Sequence, residues 1–180
     1  SEGWVRVEGL DVREEAEKVR SRIGIISHQT MTYDDMTASE NLLFYGKMFR
    51  VRDVKGWVDS ALEQVGLAER RNDRTGGFSR GMKQRLSIAR SMMHDPSVLL
   101  LDEPFTGLDP SARKMMSQIL QKLKGEGRTV VMTTHEIGHG LPLADRAALL
   151  VRGRWAFQGP TEGLNAEQLN SIYEQHAGGA

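Results

Sequence analysis

SVLLLDEPFTGLD, residues 97–109, joins a short apolar run to two adjacent carboxylates and indicates the fold class of the chain. The apolar residues 98–101 lie between Asp-Pro and Asp-Glu-Pro, a pattern typical of a strand covered on both faces in a parallel sheet. Asp102 and Glu103 follow at the carboxyl end of this strand, which is where open α/β sheets bind their ligands. Two carboxylates in that position can hold a hard cation and orient a water molecule.

The composition is that of one soluble globular domain. A chain of 180 residues is long enough to bury roughly 70% of the surface that its unfolded form exposes. The sequence contains no Cys, which excludes disulfides, Cys-ligated zinc, iron–sulfur clusters and a thiol nucleophile. With 24 basic and 24 acidic residues, no nucleic-acid partner is expected. No apolar run is long enough to span a bilayer and no secretory signal pattern is present, so a cytoplasmic location is expected.

Two further strand patterns deliver polar side chains to the same edge of the predicted sheet. RIGIIS, residues 22–27, ends just before His28 and Gln29, and RTVVMTT, residues 128–134, ends just before His135. Because the carboxyl ends of parallel strands meet at one edge, these side chains are expected to face the crevice of the two carboxylates. The sequence therefore indicates an α/β fold with a parallel sheet.

Residues 33–94 are predicted to form a helical insertion between two strands of that sheet. Thr37, followed three residues later by Glu40, forms a capping box in front of a helix. Asp53 begins a second helix, whose apolar residues recur at the three-and-four spacing of one buried face. Ser79 begins a third helix, which ends before an Asp-Pro pair.

After the central strand, Asp109 and a following proline begin a helix with its own apolar stripe. Residues 147–158 predict a hairpin, and residues 166–175 predict a final helix before a Gly-containing tail that should fray. These patterns divide the chain into a main domain, residues 1–159, and a C-terminal helix with its tail, residues 160–180.

The order of these motifs carries a family resemblance. A strand followed by Asp-Glu-Pro (102–104), a downstream Gly-Leu-Asp (107–109), an upstream Ser-x-Gly (79–81) and a strand followed by His135 occur in this sequence. In this order, over residues 5–159, the chain resembles the nucleotide-binding domain of ABC transporter ATPases. The resemblance implies a P-loop NTPase fold of the RecA-like type, with a parallel sheet core and an inserted helical subdomain.

The resemblance also implies roles for the residues at the strand ends. Asp102 would help to hold Mg²⁺, usually through water, and Glu103 would polarise the water that attacks the γ-phosphate of ATP. Gln29 would contact the metal and water and link the site to a transmembrane partner, while His135 would contact the γ-phosphate. Asp109 would act across a dimer interface. Structural alternatives remain open, since the carboxylates and Asp109 could simply cap helices and Gln29 could be a solvated loop residue.

FSRGMKQR, beginning at Phe78, resembles the family signature usually written LSGGQ. A serine hydroxyl and free amides at a helix N-terminus can bind phosphate, and glycine lets the backbone come close to it. Ser79 and Gly81 keep the phosphate-facing pair, whereas Arg80 and Met82 depart from the commonest form, as does Phe78. In the family the phosphate belongs to ATP held by the other subunit, so the resemblance implies a dimer.

No G-x-x-x-x-G-K-[ST] sequence occurs in these 180 residues, although P-loop ATPases hold the phosphates of ATP with that motif. In the family the motif precedes the region matched by residues 5–9. We therefore expect a truncated ATPase domain that lacks the P-loop strand and helix and binds MgATP weakly or not at all. The family's sheet order places that strand between those at 128–134 and 147–151, where its absence would leave exposed apolar faces. The alternative is a non-catalytic protein without a P-loop.

The resemblance implies an enzyme subunit that hydrolyses ATP with Mg²⁺ and drives an integral membrane permease from the inner face of the cell membrane. Its expected partners are a second nucleotide-binding domain and that permease. RGMKQR, residues 80–85, is similar to the signatures of heme-exporter and multidrug-exporter ATPases, and the short segment after residue 159 also favours export. The alternative class is a soluble ABC ATPase of translation or DNA repair.

HEIGH, residues 135–139, also matches the H-E-x-x-H pattern of zinc peptidases. In that pattern two histidines one helical turn apart bind zinc and the glutamate serves as a base. The pattern needs a continuous helix, whereas Gly138, Gly140 and Pro142 interrupt one here. The peptidase is therefore the remote alternative.

Overall fold

The computed structural model describes residues 3–27 and 30–177, and it contains two compact units, Ser1–Thr133 and Thr134–Ala180. Gln29, a predicted site residue, lies outside the described residues, and so does the tail beyond residue 177 that was expected to fray. The expected division into residues 1–159 and 160–180 stays a prediction.

The first unit alternates strands with helices. In chain order its elements are β1 (Arg6–Val7), β2 (Leu10–Asp11), α1 (Ala16–Arg22), β3 (Ile23–Ile26), α2 (Ala38–Met48), α3 (Val54–Gln64), α4 (Arg80–Ser91), β4 (Val98–Asp102), α5 (Pro110–Gly125) and β5 (Thr129–Thr133). In chain order, helices α2, α3 and α4 come between strands β3 and β4, where the sequence predicts a helical insertion.

Strands β3, β4 and β5 form a parallel sheet with β4 in the centre. Leu101 of β4 is in register with Ile26 on one side, and Asp102 is in register with Thr133 on the other. Residues 97–109 therefore supply the central strand of the described sheet, and Asp102 is the last residue of that strand. This confirms the predicted α/β fold with a parallel sheet.

The two faces of this sheet differ in burial. On one face, Leu99 and Leu101 are 0% and 3% exposed. Helix α4 packs against β3 on this face. The approach is so close that a Cβ on Gly24 would lie 2.6 Å from the Ser91 carbonyl oxygen. On the other face Ile25 and Val131, which flank Leu100, are each 53% exposed. Val98 and Leu100 of β4 are half-buried on this face, so the prediction that β4 is covered on both faces is met fully on one face and only in part on the other.

One edge of the described sheet is also open. Among the strands that the structure describes, β5 pairs only with β4, so its other edge has no strand partner. Unpaired edges and apolar faces of this kind are normally covered in a native protein.

The main hydrophobic core of the first unit lies among the inserted helices. The predicted apolar face of α3 buries Val58, Ala61 and Leu62, and α4 packs against it through Leu86 and Ala89. None of the helices built from described residues combines the length and apolar character that a membrane crossing requires.

The predicted capping box at the start of α2 is present. The Glu40 amide donates to Thr37 Oγ1 at 3.1 Å, and the Thr37 amide donates to Glu40 Oε2 at 2.8 Å. The backbone hydrogen bond from Thr37, helped by the Thr37 side chain, lowers the pKa of the Glu40 carboxyl below its ordinary value. The capping box therefore supplies acceptors for two of the amides at this helix end.

Thr37→Ala should lower the free energy of unfolding by about 1 kcal/mol, because it leaves the Glu40 amide without its acceptor. Urea denaturation at neutral pH measures this loss, and Thr37→Ser is the matched control because it keeps the hydroxyl. Since the folded pKa of Glu40 is lowered, its contribution is complete above its unfolded pKa and disappears as pH falls through the folded pKa. An equal loss in both variants would contradict the capping role.

The second unit contains α6 (Ile137–Gly140), β6 (Arg146–Val151), β7 (Arg154–Pro160) and α7 (Ala166–Ala177). Strands β6 and β7 form the predicted antiparallel hairpin, and the turn between them places Arg152 and Gly153 at positive φ, 49° and 76°. Positive φ at both central residues matches the right-handed twist of the two strands. Helix α7 packs on the hairpin and buries Leu169.

Candidate functional site

The two carboxylates after β4 are each oriented by a threonine. Thr133 Oγ1, at the end of β5, donates to Asp102 Oδ1 at 2.7 Å. Thr106 Oγ1 donates to Glu103 Oε2 at 3.2 Å. Asp102 is exposed and Glu103 is half-buried, so both carboxylates lie at the solvent edge of the sheet with fixed orientations.

Glu103 leaves the strand in an unusual backbone conformation. Its φ is 49°, in the left-handed region that residues other than glycine seldom adopt. The conformation is held by two backbone hydrogen bonds, from the Glu103 amide to the Thr133 carbonyl at 3.0 Å and from the Thr106 amide to the Glu103 carbonyl at 3.3 Å. Such strain often marks a functional position.

The signature motif forms the N-terminus of α4. Ser79 is the N-cap, and its Oγ accepts a hydrogen bond from the Met82 amide at 3.2 Å. The Lys83 amide donates to the Ser79 carbonyl at 3.0 Å, which starts the helix. The amides of Arg80 and Gly81 come earlier in the turn and are orphan donors of the kind that binds anions at a helix N-terminus.

Gly81 has a packing role that the sequence did not indicate. It is buried, and a Cβ at this position would lie 2.8 Å from the Cβ of Ala112 and 3.8 Å from Leu108. Ala112 is in the first turn of α5, so glycine allows the N-termini of α4 and α5 to approach closely. A side chain at position 81 would therefore point toward α5.

The Gly-Leu-Asp segment contacts the signature motif through its glycine. Gly107 has φ 71°, and a Cβ there would lie 3.0 Å from Cδ of Arg80. Asp109 caps α5, because its Oδ1 accepts a hydrogen bond from the Ala112 amide at 2.9 Å. Asp109 is therefore a helix cap, which is the structural alternative to a role in the dimer. Its role across a dimer interface stays a prediction.

Arg85 holds the same region from the side of α3. Its Nη1 donates to the carbonyls of Val65 and Gly66 at 3.0 and 3.1 Å, where a positive charge complements the C-terminal end of a helix. Burial lowers the pKa of the Arg85 guanidinium below its ordinary value, and attraction to Asp109 opposes that shift.

The second unit contains His135, and the structure does not support the peptidase pattern around it. His135 is exposed and lies before α6, which has only four residues. The H-E-x-x-H pattern needs both histidines on one helix, and His135 is outside it. His139 Nε2 instead lies 3.8 Å from Glu136 Oε2.

Asp102 fits what Mg²⁺ requires from a protein at a phosphate site. Mg²⁺ keeps several waters and usually takes one or two carboxylates together with substrate phosphate oxygens. An exposed carboxylate with one oxygen fixed by Thr133 can supply such a ligand. Within residues 3–27 and 30–177 there is no group of three or more His, Asp or Glu side chains that could hold a metal by itself.

Comparison with known proteins places these features in a family. The family model described as "ABC transporter" matches residues 1–106, which is more than half of the chain. The chain belongs to the ABC transporter family. It represents part of an ATP-binding subunit, and the fold is that of the P-loop NTPases.

Two relatives show how much of an ABC ATP-binding protein the chain covers. The ABC transporter ATP-binding protein NatA of Bacillus subtilis is 33% identical over 96% of this chain, which spans 73% of the relative. The Nod factor export ATP-binding protein I of Rhizobium johnstonii is 37% identical over 94% of this chain, which spans 55% of that protein.

A solved ABC structure has the same fold. CbiO1 of Clostridium perfringens, described as part of the ABC transporter complex cbiONQ, superposes with a TM-score of 0.82 at 26% identity. The match covers 94% of this chain and 70% of the other. ABC ATP-binding proteins in general hydrolyse ATP.

Proposed function

We propose that this chain is the signature-bearing and water-activating part of an ATPase subunit that powers export across a membrane. The observation that carries the proposal is the pair of oriented carboxylates at the tip of the central strand. Asp102 and Glu103 lie where α/β sheets bind ligands, and each is held by a different threonine.

The two carboxylates divide the chemistry of hydrolysis between them. Asp102 would hold Mg²⁺ through water, and the metal supplies neutralisation of phosphate charge when it is bound. Glu103 would accept a hydrogen bond from the attacking water and orient that water toward the γ-phosphate. Thr106, which donates to Glu103, restricts the side chain to one direction, so less reorganisation is needed at the moment of reaction.

The signature motif would act on the ATP held by a second subunit. Ser79 and the first amides of α4 form a donor set suited to a γ-phosphate, as at other helix N-termini. Asp109 follows the glycine that Arg80 contacts and would act across the same dimer interface. Gln29 and His135 would contact metal, water and γ-phosphate.

The phosphate cradle itself would be provided by a P-loop segment outside these 180 residues. The exposed Ile25 and Val131 and the open edge of β5 are the surfaces that such a strand and helix would cover. A non-catalytic protein without a P-loop is the alternative.

Titration calorimetry with MgATP tests this division of the site. We expect micromolar binding by the complete protein and at least about a hundredfold weaker binding by the 180-residue chain, because backbone amides and a lysine of the P-loop supply most phosphate contacts. Circular dichroism of the shorter chain is the control for folding. Micromolar binding by a folded 180-residue chain would contradict the proposal.

The permease partner would bind to an exposed aromatic surface formed by Met31, Tyr33, Phe44 and Met48. These side chains are 40–57% exposed, and the rings of Tyr33 and Phe44 meet edge-on with centroids 5.2 Å apart. Exposed apolar surface of this kind marks interaction sites. Met31 and Tyr33 of this surface lie just after Gln29 in the chain, and CbiO1 is described as part of a transporter complex, which favours an integral membrane component.

Export is favoured over import by the names of relatives, which include a Nod factor export protein. The subunit would then sit at the inner face of the membrane as a homo- or heterodimer. A soluble ABC ATPase of translation or DNA repair is the alternative, and purification of a complex with a membrane-spanning protein distinguishes the two.

A further inference from the structure

The loop that follows β3, residues 30–37, is held by the signature helix α4 at two points. Lys83 Nζ donates to Asp34 Oδ1 at 2.7 Å. Two turns later on the same face of α4, the Arg90 guanidinium lies 5.1 Å from the ring centre of Tyr45, and the Tyr45 hydroxyl donates to the Met31 carbonyl at 2.7 Å. The loop is therefore linked to α4 directly at Lys83 and, through Tyr45 of α2, also near Arg90.

A buried polar network fixes the base of the same loop. Asn41, 1% exposed, donates to the Tyr33 carbonyl at 3.0 Å and accepts from the Tyr33 amide at 2.8 Å. Thr75, 0% exposed, donates to the same Tyr33 carbonyl at 2.9 Å, and the Gly76 amide donates to the Asp34 carbonyl at 2.9 Å. Residues 33–34 are thus joined to the segment that leads into the signature motif.

Asp34 also supplies a negative charge near the start of α4, where the charged residues of the helix itself are all basic. The first turn of α4 has no acidic residue, although it carries Arg80 with Lys83 just after it, and positive charge is unfavourable at a helix N-terminus. The Lys83 side chain is 22% exposed and the Asp34 side chain 61%, so water screens their ion pair from the Asp34 side. The pair therefore compensates the charge of Lys83 beside the turn that Ser79 caps.

We propose that Asp34 and Lys83 are positioning residues for ATP hydrolysis, which hold Ser79 in place by tying the first turn of α4 to loop 30–37. The proposal rests on the proposed role of Ser79 as a phosphate contact. The ion pair also connects the aromatic surface to the signature motif, because Tyr33 of that surface is adjacent to Asp34 in the chain. A partner seated on Tyr33 would reach Ser79 through this ion pair.

Charge reversal in the complete protein tests the pair. Asp34→Lys and Lys83→Asp should each lower kcat about tenfold, because small displacements of a positioned group cost that much or more. The Kd for MgATP should stay unchanged, since the P-loop half of the site is untouched. The double variant Asp34→Lys with Lys83→Asp restores the attraction, and its kcat should return to within about twofold of the parent.

Matched controls separate positioning from a general effect of charge. Arg70 and Asp73 form an ion pair of 2.8 Å within one segment, and reversing either residue should leave kcat unchanged. Lys83→Arg keeps the charge and should retain kcat, whereas Lys83→Met should lose it. These two variants decide the question even where a reversed single variant does not fold.

The outcomes of this experiment are distinct. Full activity in both single reversals, or a double variant as slow as the singles, overturns the positioning role while the ATPase function stands. An unsubstituted protein that binds MgATP but never hydrolyses it overturns the proposed function and the inference together. A low kcat in both single variants, together with recovery of kcat in the double variant, supports the positioning role of the pair.

Discussion

Glu103→Gln in the complete protein is expected to lower steady-state ATP hydrolysis by about a thousandfold, the typical contribution of a general base. Glutamine has nearly the same shape and keeps an oxygen that can accept the hydrogen bond from Thr106. It cannot take a proton from water. The loss should therefore fall on the chemical step, while MgATP binding and nucleotide-dependent dimers persist.

Phosphate release measures hydrolysis in this variant, and size-exclusion chromatography with and without MgATP measures the dimer. Glu162→Gln is the matched control, because Glu162 is exposed in the second unit and has no place in the proposed site. Steady-state hydrolysis near the parental rate in Glu103→Gln would contradict the role of Glu103. Loss of the dimer instead would indicate a structural role.

The parts of the fold that the sequence predicted are those with local signals. The capping box at Thr37, the apolar stripe of α3 and the apolar run before Asp102 each need only neighbouring residues to be recognised. Their elements are present with bounds within a few residues of the prediction. The prediction that β4 is covered on both faces holds only in part for one face, because an apolar run does not specify which neighbouring elements cover it.

The partners of the site residues could not be predicted in the same way. Thr133 contacts Asp102 because β5 lies beside β4 in one particular register, which depends on the packing of the sheet. Asp34 and Lys83 are 49 positions apart, and nothing local relates them. The contact of Thr106 with Glu103 could have been predicted from the local sequence, because the two residues are three positions apart in a tight turn.

Gly81 illustrates how a motif can identify the right residue and leave its physical reason open. The signature resemblance predicts a glycine where backbone approaches phosphate, and the structure adds the close contact of α4 with α5. These two reasons predict different behaviour for substitutions, because one concerns the space beside the ligand and the other concerns the space occupied by Ala112.

Gly81→Ala is expected to destabilise the protein by about 1–3 kcal/mol through overpacking, since its new Cβ would meet the Cβ of Ala112. Relief requires α4 to move away from α5, which would carry Ser79 with it. We therefore expect hydrolysis by the complete protein to fall at least about tenfold. Urea denaturation and phosphate release measure the two effects on the same samples.

Adding Ala112→Gly removes the atom that the new methyl group contacts. Both substitutions lie in first turns of helices, so the gain in helix propensity at 81 and the loss at 112, each about 1 kcal/mol, offset one another. Because the missing side chain of Gly81 points toward α5, the double variant should regain both stability and hydrolysis. A double variant that is stable yet inactive would mean that the ligand, and not Ala112, requires glycine at this position, and the packing role would then be secondary.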